Sequence, residues 1–271
     1  MQEQGKRIWR SPEEIVAIGF QRSQIVMMNE AHSGLKRCIR TRQIGKRILP
    51  VAHQAGVRHI AMEALFPAFA EHGNRTRQLM EGDLGYLAQP EMKELIQTAL
   101  DLGWTLIPYE ADQFKWLSER HGFDFSASDS PNEKAQKWQE FQSEFTKLEF
   151  TNWREKEQAL NILHALQSVS PHTPLLVWCG NSHHSKQGDQ EWIPMGYQFQ
   201  QHSSINPFVI DQIGTVKFEH NEGWLPLLEE YAHELHSHGG TAGFLSEEAP
   251  PMFGASTSED AFLFSTENEL E

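Results

Sequence analysis

Four short apolar runs, separated by helical patterns, constrain the fold of this chain more than any other feature. The runs cover residues 24–28, 57–62, 104–109 and 174–179, and each has the length and the β-branched or aromatic content of a buried strand. Apolar residues recur every three or four positions at 35–55, 90–102 and 153–169, which is typical of amphipathic helices. Because alternating strands and helices form parallel sheets, the sequence predicts an α/β fold with a mainly parallel central sheet flanked by helices.

We expect residues 1–271 to form a single domain, since α/β domains of this length are common. Aromatic residues at helical spacing within 131–150 predict an amphipathic helix, and with it a helical insertion or lid around 112–150. Gly and Pro clusters predict a loop-rich segment at 239–258, and the run at 261–264 predicts a last strand.

Charge and cysteine content narrow the classes of partner. The chain has 23 Lys and Arg residues against 37 Asp and Glu residues, a formal charge of -14, which repels nucleic acid and anionic membrane surfaces. We therefore expect a small-molecule or peptide substrate, with no nucleic acid and no membrane partner. Cys38 and Cys179 lie far apart in apolar segments and indicate buried thiols. With no apolar leader and no run near the ~20 residues that span a bilayer, the expected location is cytoplasmic.

Polar residues follow all four apolar runs. In open parallel sheets, ligands bind beyond the carboxyl ends of the strands. The residues at these ends are Asn29, Glu30 and His32 after the first run, Glu63 after the second, Glu110 and Asp112 after the third, and Asn181, His183 and His184 after the fourth. This recurrence predicts one shared site. The alternative is surface polarity and helix capping at each strand end separately.

Arg42 falls on the apolar stripe of the helix that follows the first run. A buried arginine needs an anionic partner. Arg42 is therefore expected to orient Glu30 or Glu63, to bind a substrate anion, or to form a purely structural ion pair.

A second arginine lies in the sequence Asn-Trp-Arg-Glu at 152–155. Asn152 and Glu155 have the spacing of a helix cap with a capping-box glutamate. Glu155 is also in phase with the apolar stripe of the helix, so it is alternatively expected to face inward. Arg154 would then point into the cleft.

Two groups of histidines leave alternatives open. Adjacent side chains after a strand diverge, so we expect one of His183 and His184 to enter the site and favour His183. A separate group, His233, His236 and His238, ends an amphipathic helix around 224–236, where cations suit the helix C-terminus. Metal binding by that group is the alternative, although no fourth ligand is identifiable.

Taken together, these motifs resemble the superfamily of erythromycin esterase-like, ChaN-like and Tiki-like (TraB-related) proteins. The resemblance covers roughly residues 24–268. It rests on NEAHSGLKRCIRTR at 29–42, IAMEAL at 60–65, IPYEAD at 107–112, NWREKEQALNI at 152–162, VWCGNSHHSK at 177–186 and EDAFLFSTEN at 259–268.

The resemblance implies an esterase, a haem-binding protein or a metal-dependent peptidase. It places His32 where the esterases have a general base, Glu30 at the family's first glutamate, and Glu63, Arg42, Arg154 and His183 at other polar positions. The esterases usually have Gly before that glutamate and two residues between it and the histidine. Here Asn29 precedes Glu30 and only Ala31 intervenes, which looks closer to the haem-binding branch.

The first functional hypothesis is a hydrolase in which His32, oriented by Glu30 or Glu63, activates water to attack an ester or amide bond. Arg42, Arg154 and His183 would stabilise the oxyanion. Further candidate substrate contacts are Glu110, Glu155 and Asn181. No Gly-x-Ser-x-Gly motif occurs, so a covalent serine mechanism is disfavoured.

Three alternatives remain. Glu30, His32, Glu63 and His183 have the ligand atoms of a zinc or manganese centre, in which case His32 is a ligand and not a base. Residues 131–150 could instead close over an apolar cleft that binds haem or another small ligand without catalysis. The third alternative is an interaction protein that uses an exposed aromatic face.

Overall fold

The computed structural model describes residues 8–31, 35–63, 65–82, 85–122, 130–170, 172–212, 235, 237–248 and 258–265. Within these residues the helices are α1 (Pro12–Arg22), α2 (Leu35–Gln54), α3 (Pro67–Thr76), α4 (Pro90–Asp101), α5 (Gln113–His121), α6 (Pro131–Phe141), α7 (Leu148–Val169) and α8 (Met195–Ser203). The strands are β1 (Ile25–Glu30), β2 (His59–Met62), β3 (Thr105–Pro108), β4 (Leu175–Gly180), β5 (Phe208–Asp211), β6 (Thr241–Leu245) and β7 (Ala261–Ser265). Short 3-10 helices cover Gly85–Ala88, Gln142–Thr146 and Ser246–Glu248.

The strands form one sheet in the order β3-β2-β4-β1-β5-β7-β6. All neighbouring pairs are parallel except β6 and β7, which are antiparallel. Glu30 is paired with Gly180 and Met62 with Trp178, so β1, β2 and β4 end at nearly the same level. The α/β fold with a mainly parallel sheet is therefore confirmed, and its carboxyl edge gathers the residues that follow each strand.

Helices cover both faces of this sheet, which explains why its central strands are apolar throughout. Val26 and Met28 of β1 pack with residues of α1 to α4, including Ile48 and Leu95. The alternate residues of β1 pack on the other face with Ala159, Ile162, Met195 and Phe199 of α7 and α8. Because successive side chains of a strand point to opposite faces, β1 contributes to the hydrophobic cores on both sides of the sheet.

The segment 112–150 contains α5, α6, a 3-10 helix and the first turn of α7. Its aromatic side chains pack on each other and on the start of α7, with Trp116 and Phe150 buried. The ring centres of Trp116 and Trp153 are 5.1 Å apart, which joins α5 to α7 directly. The segment is therefore helical and shares a small aromatic cluster with the start of α7. Its role as an insertion or lid remains a prediction.

Several boundaries differ from those that the sequence pattern predicted. β1 extends to Glu30, so Asn29 and Glu30 end the strand instead of following it. The segment predicted to be loop-rich, 239–258, contains the strand β6. Gly243 lies within this strand and does not mark a loop. A Cβ atom at Gly243 would lie 2.0 Å from the carbonyl oxygen of Phe262, so the close approach of β7 requires glycine there. The pattern also missed α1, α3, α5, α8 and β5, which are short or only weakly periodic.

The cysteine expectation is met for Cys179, a buried free thiol whose pKa is raised by burial. The side chain of Cys38 lies outside the described residues. Among the described helices, none combines the length and the apolar character that a membrane span needs.

Candidate functional site

Arg154 lies between two carboxylates that follow neighbouring strands. Its Nε donates to Oε1 of Glu110 at 2.9 Å, and its Nη2 donates to Oε1 of Glu63 at 2.5 Å and also to Oε2 of Glu110. Burial lowers the pKa of Arg154, but the bonds to Glu110 and Glu63 outweigh it, so the pKa is raised and the guanidinium stays charged. α7 thereby ties the ends of β2 and β3 together.

Glu63 connects this pair to β4. Its Oε2 accepts the backbone N–H of Gly180 at 2.8 Å, and its Oε1 lies 3.8 Å from Nε2 of His183. One carboxylate therefore contacts both the last residue of β4 and the loop that follows it.

Glu155 is completely buried and holds His183 from the other side. Its Oε1 lies 2.6 Å from Nδ1 of His183 and accepts the indole N–H of Trp192 at 3.1 Å. Its Oε2 accepts the backbone N–H of Met195, the first residue of α8, at 2.6 Å. Both oxygens are thus occupied, Oε1 by groups of the loop between β4 and α8 and Oε2 by the first residue of α8.

The imidazole of His183 is mostly buried, with 15% of the side chain exposed. Burial lowers the pKa of His183, but the hydrogen bond with Glu155 and the charges of Glu63 and Glu155 outweigh it, so the pKa lies above its ordinary value. Nδ1 faces Glu155 and Nε2 faces Glu63, so the ring has a fixed orientation between the two carboxylates.

Asn152 fixes the loop that carries His183. Its Oδ1 accepts the N–H of Ile193 at 2.8 Å, and its Nδ2 donates to the carbonyl of Glu191 at 2.7 Å. Because α7 begins at Leu148, the prediction that Asn152 and Glu155 cap a helix is wrong. The inward orientation of Glu155, the alternative, is confirmed.

Arg42 and Glu30 form a separate buried pair at the end of β1. Nε of Arg42 donates to Oε2 of Glu30 at 3.0 Å, and both side chains are almost sealed from solvent. Nη1 of Arg42 donates to Gln89, and the guanidinium stacks over the ring of Tyr86 at 4.5 Å. Of the predicted partners, Arg42 therefore contacts Glu30 and not Glu63.

Burial raises the pKa of Glu30 from 4.5 to about 7. The charge of Arg42 and the indole of Trp178 act in the opposite direction, and the charge of Glu63 raises the pKa further. Glu30 therefore exchanges its proton near neutral pH, which is unusual for a carboxylic acid.

The structure joins five of the predicted residues in one network: Glu63, Glu110, Arg154, Glu155 and His183. Glu30 and Arg42 form their separate pair at the end of β1. His32, His233 and His236 lie outside the described residues, and His238 lies in a turn beside Trp9. Asp112 caps α5, since its Oδ1 accepts the N–H of Phe114 at 2.9 Å. For that residue the capping alternative is correct.

Asn181 takes part in the site through its backbone and not through its side chain. Its φ is 42°, its side chain is exposed, and its N–H donates to the carbonyl of Glu30 at 2.8 Å. His184 is buried, and neither of its ring nitrogens has a hydrogen-bond partner among the residues that the structure describes. Burial lowers the pKa of His184, which favours the neutral form of this imidazole.

Four contributors to the site were missed by the sequence analysis: Gln89, Gln158, Trp192 and Tyr86. Gln158 lies one helical turn after Arg154 and donates to Oε1 of Glu110 at 3.0 Å. Its position on the inward stripe of α7 was the available signal. Trp192 gave no signal, because it lies in a loop whose path no local pattern predicts.

The metal-centre alternative finds no support in the spacing of the described side chains, which include no group of three or more His, Cys, Asp or Glu residues arranged to hold an ion. Of the four candidate ligands, Glu30 is paired with Arg42 and Glu63 with Arg154. His32 lies outside the described residues.

No protein-family model matches the sequence, and no curated protein matches it either. Among solved structures, ChaN of Campylobacter jejuni, described with cofacial haem binding, aligns with a TM-score of 0.53 and 11% identity, over 93% of this chain and 91% of ChaN. An erythromycin esterase mutant, EreC in its open conformation, aligns with a TM-score of 0.50 and 12% identity, over 94% of this chain and 97% of EreC.

A bacterial protein toxin aligns less well, with a TM-score of 0.46 and 12% identity over 75% of this chain. The alignment covers 36% of the toxin, so the chain spans about a third of the toxin's length. The comparisons with ChaN and EreC show that this chain has a fold common to a haem-binding protein and an esterase, as the resemblance of its motifs implied.

Proposed function

We propose that the protein is a hydrolase in which His183 activates water to attack the carbonyl carbon of an ester or amide bond. The observation that carries this proposal is the pairing of His183 with Glu155: Nδ1 lies 2.6 Å from a fully buried carboxylate, while Nε2 points to the other side of the ring, towards Glu63. An imidazole whose second nitrogen is held by a carboxylate is an arrangement that general bases use in catalysis.

The carboxylate selects one tautomer of the neutral imidazole. Because Glu155 can only accept a hydrogen bond, the ring keeps its proton on Nδ1 and presents the lone pair of Nε2. A water molecule beside Nε2 gives up its proton as its oxygen attacks the carbonyl carbon. The resulting imidazolium is stabilised by the charges of Glu155 and Glu63. When the tetrahedral intermediate collapses, the C–O or C–N bond breaks and the imidazolium returns its proton to the leaving alkoxide or amine.

Arg154 is suited to stabilise the oxyanion that forms in this step. Its Nε and Nη2 bind Glu110 and Glu63, and Nη1 forms no hydrogen bond with any group that the structure describes. The guanidinium is therefore held by two carboxylates, and the two N–H groups of Nη1 are left to bind an oxyanion as a preorganised donor. Arg42 is too deeply buried against Glu30 to take this role.

The sequence resemblance assigns the general base to His32, and that assignment remains a prediction. The proposal for His183 rests on contacts of its own. Substitutions of both histidines therefore belong in one experiment.

Haem binding is the second candidate function. It is favoured by the fold shared with ChaN and by the Nε2 atom of His183, since a histidine whose other nitrogen is held by a carboxylate is a good iron ligand. The aromatic side chains of the segment 131–150, however, pack on one another and on Trp116, so the closure of that segment over a haem group requires its rearrangement.

The test is hydrolysis of a panel of 4-nitrophenyl esters and small anilides by wild type, His183→Ala, His32→Ala and His164→Ala, with elemental analysis of each protein purified without chelator. His164 is an exposed residue of α7 and serves as the matched control. We expect hydrolysis by wild type and the control, and a loss in His183→Ala of about a hundredfold or more.

Other results would point elsewhere. Stoichiometric metal that is lost on substitution of either His32 or His183 would replace the general base with a metal centre. Absence of hydrolysis, together with a Soret band that appears on haem titration and is lost in His183→Ala, would favour the binding function.

A further inference from the structure

The network around Arg154 holds more negative than positive charge. Among the residues that the structure describes, the carboxylates of Glu63, Glu110 and Glu155 share one guanidinium, Arg154, and one imidazole, His183. The imidazole must be neutral to act as a base, so two negative charges are then in excess, and one remains in excess when the imidazole is protonated. Because carboxylates in a partly buried site are costly without a counter-charge, the network favours a ligand that brings positive charge.

Glu110 is the carboxylate best placed to meet such a ligand. Its side chain is 30% exposed, compared with 11% and 0% for the other two carboxylates of the network. Oε1 is fully used, since it accepts N–H groups of Arg154 at 2.9 Å, Gln158 at 3.0 Å and Ala111 at 2.7 Å. Oε2 accepts a hydrogen bond only from Arg154 among the described residues. A carboxylate oxygen accepts about two hydrogen bonds, so Oε2 keeps one acceptor position.

Gln158 indicates independently that a donor is missing here. Its side chain is completely buried, and its Nε2 donates to Oε1 of Glu110. Its Oε1 accepts no hydrogen bond from any group that the structure describes. Because a buried acceptor without a donor destabilises the folded state, Gln158 requires a donor that the described part of the chain does not supply. The two spare acceptors, Oε1 of Gln158 and Oε2 of Glu110, therefore belong to groups in direct contact.

Two basic groups of the described chain that could offset the excess charge are paired elsewhere. Lys115, five residues after Glu110, forms an ion pair with Glu157, and Arg42 forms its pair with Glu30. The whole chain has a formal charge of -14, which attracts cations and repels anions within about 10 Å of the surface at ordinary ionic strength. Cations are therefore favoured both at the site and on approach to it.

We infer that the substrate carries a cationic nitrogen group, an ammonium, amidinium or guanidinium, whose N–H groups bind Oε2 of Glu110 and Oε1 of Gln158. Such a group fills both spare acceptors and offsets the excess charge at the same time. A neutral apolar group would leave both acceptors without donors, and an anionic group would add to the excess charge. This inference rests on the proposed function for the reaction at His183, but the cation-binding position can be tested without turnover.

The first measurement detects cation binding without hydrolysis, by calorimetric titration with benzamidine and benzamide. The two molecules have the same shape, but benzamidine is a cation and benzamide is neutral. Wild type should bind benzamidine about tenfold or more tightly than benzamide, because a hydrogen bond to a charged group is stronger than one between neutral groups. This advantage should shrink as the salt concentration rises.

Variants locate the cation. Glu110→Gln should bind benzamidine about tenfold more weakly than wild type and leave benzamide binding unchanged, which shows that the variant is folded. Gln158→Met keeps the side-chain volume, removes the spare acceptor and should also weaken benzamidine binding. Glu157→Gln removes one carboxylate of α7 outside the network and should bind both molecules as wild type does.

The second measurement compares kcat/KM for the 4-nitrophenyl esters of 4-guanidinobenzoic, benzoic and terephthalic acid, which are cationic, neutral and anionic. Each value is divided by the rate constant of the same ester with hydroxide, so that differences in intrinsic reactivity cancel. Wild type should prefer the cationic ester to the neutral one and the neutral ester to the anionic one. Glu110→Gln should lower the preference for the cationic ester about tenfold, mainly through KM.

Equal binding of benzamidine and benzamide by wild type, or an equal loss in Glu110→Gln and Glu157→Gln, would overturn the inference. If no ester is hydrolysed while benzamidine binding still depends on Glu110, the hydrolase proposal fails and the cation-binding position stands. If the esters are hydrolysed without preference for the cationic one, the hydrolase proposal stands and the inference fails.

Discussion

Glu155 and His183 form the tightest contact between α7 and the loop that follows β4, with Oε1 of the carboxylate 2.6 Å from Nδ1 of the imidazole. The same carboxylate accepts the indole N–H of Trp192 and the backbone N–H of Met195. One buried group therefore sets the orientation of the imidazole, the position of the neighbouring tryptophan and the start of α8.

Substitution of Glu155 by Gln should lower kcat about a hundredfold, because the amide no longer fixes the tautomer or stabilises the imidazolium. It should also move the acidic limb of the pH–rate profile. Glu155 raises the pKa of His183, and the base must be neutral, so removal of the charge lets His183 act at lower pH. Glu157→Gln, on the same helix and bound to Lys115, is the matched control. An unshifted limb in Glu155→Gln would show that His183 is not the group that titrates.

The raised pKa of Glu30 predicts a pH dependence of stability. Between pH 4.5 and 7 the folded state holds a proton on Glu30 that the unfolded state has lost, so the free energy of unfolding falls as the pH rises through this window, by up to about 3 kcal/mol. Glu30→Gln removes this titration. Urea unfolding at pH 5 and pH 8 should therefore show the variant gaining stability relative to wild type at the higher pH. A constant difference between the two proteins would contradict the assignment.

Gly196 should be intolerant of a side chain. Its N–H donates to the carbonyl of His183 at 2.8 Å, and a Cβ atom there would lie 2.1 Å from the carbonyl oxygen of His184. Gly196→Ala must displace either α8 or the turn that carries His183, so we expect a loss of about 2 kcal/mol or more in stability and a loss of activity. Thermal unfolding measures the first effect. Gly188→Ala, whose Cβ would meet its nearest atom at 3.3 Å, should cost clearly less.

Asn74 protects the edge of the sheet at β3. Its side-chain amide accepts the N–H of Leu106 at 2.7 Å and donates to the carbonyl of the same residue at 2.9 Å, as a neighbouring strand would. Asn74→Ala should leave this backbone unpaired, costing about 1–2 kcal/mol, and should promote association of the exposed edge. Light scattering against concentration, with Asn132→Ala on α6 as control, checks this. Equal behaviour of the two variants would show that the amide does not protect the edge.

The sequence predicted the strands around the site well because each of them is apolar over its whole length. β1, β2, β3 and β4 are covered by helices on both faces, so burial leaves a continuous apolar run that the chain displays directly. β6 was missed since its packing depends on Gly243, where close approach of β7 excludes any side chain.

In the candidate site, too, some features could be predicted from the sequence and others could not. Glu63, Glu110 and His183 were predicted because parallel strands that end together must bring the next residues together. The pairings were not predictable: Arg154 binds both Glu63 and Glu110, whereas Arg42 is confined to Glu30 by Gln89 and Tyr86. Such choices depend on helix position relative to the sheet, which no local spacing encodes.

The most direct test of the account is the rate of 4-nitrophenyl acetate hydrolysis by His183→Ala, measured with and without added imidazole and after subtraction of the hydrolysis that imidazole causes without protein. We predict a loss of about a hundredfold or more relative to wild type and His164→Ala, and partial recovery when imidazole from solution replaces the missing base. A rate in His183→Ala close to that of wild type would contradict the central claim that this imidazole activates water.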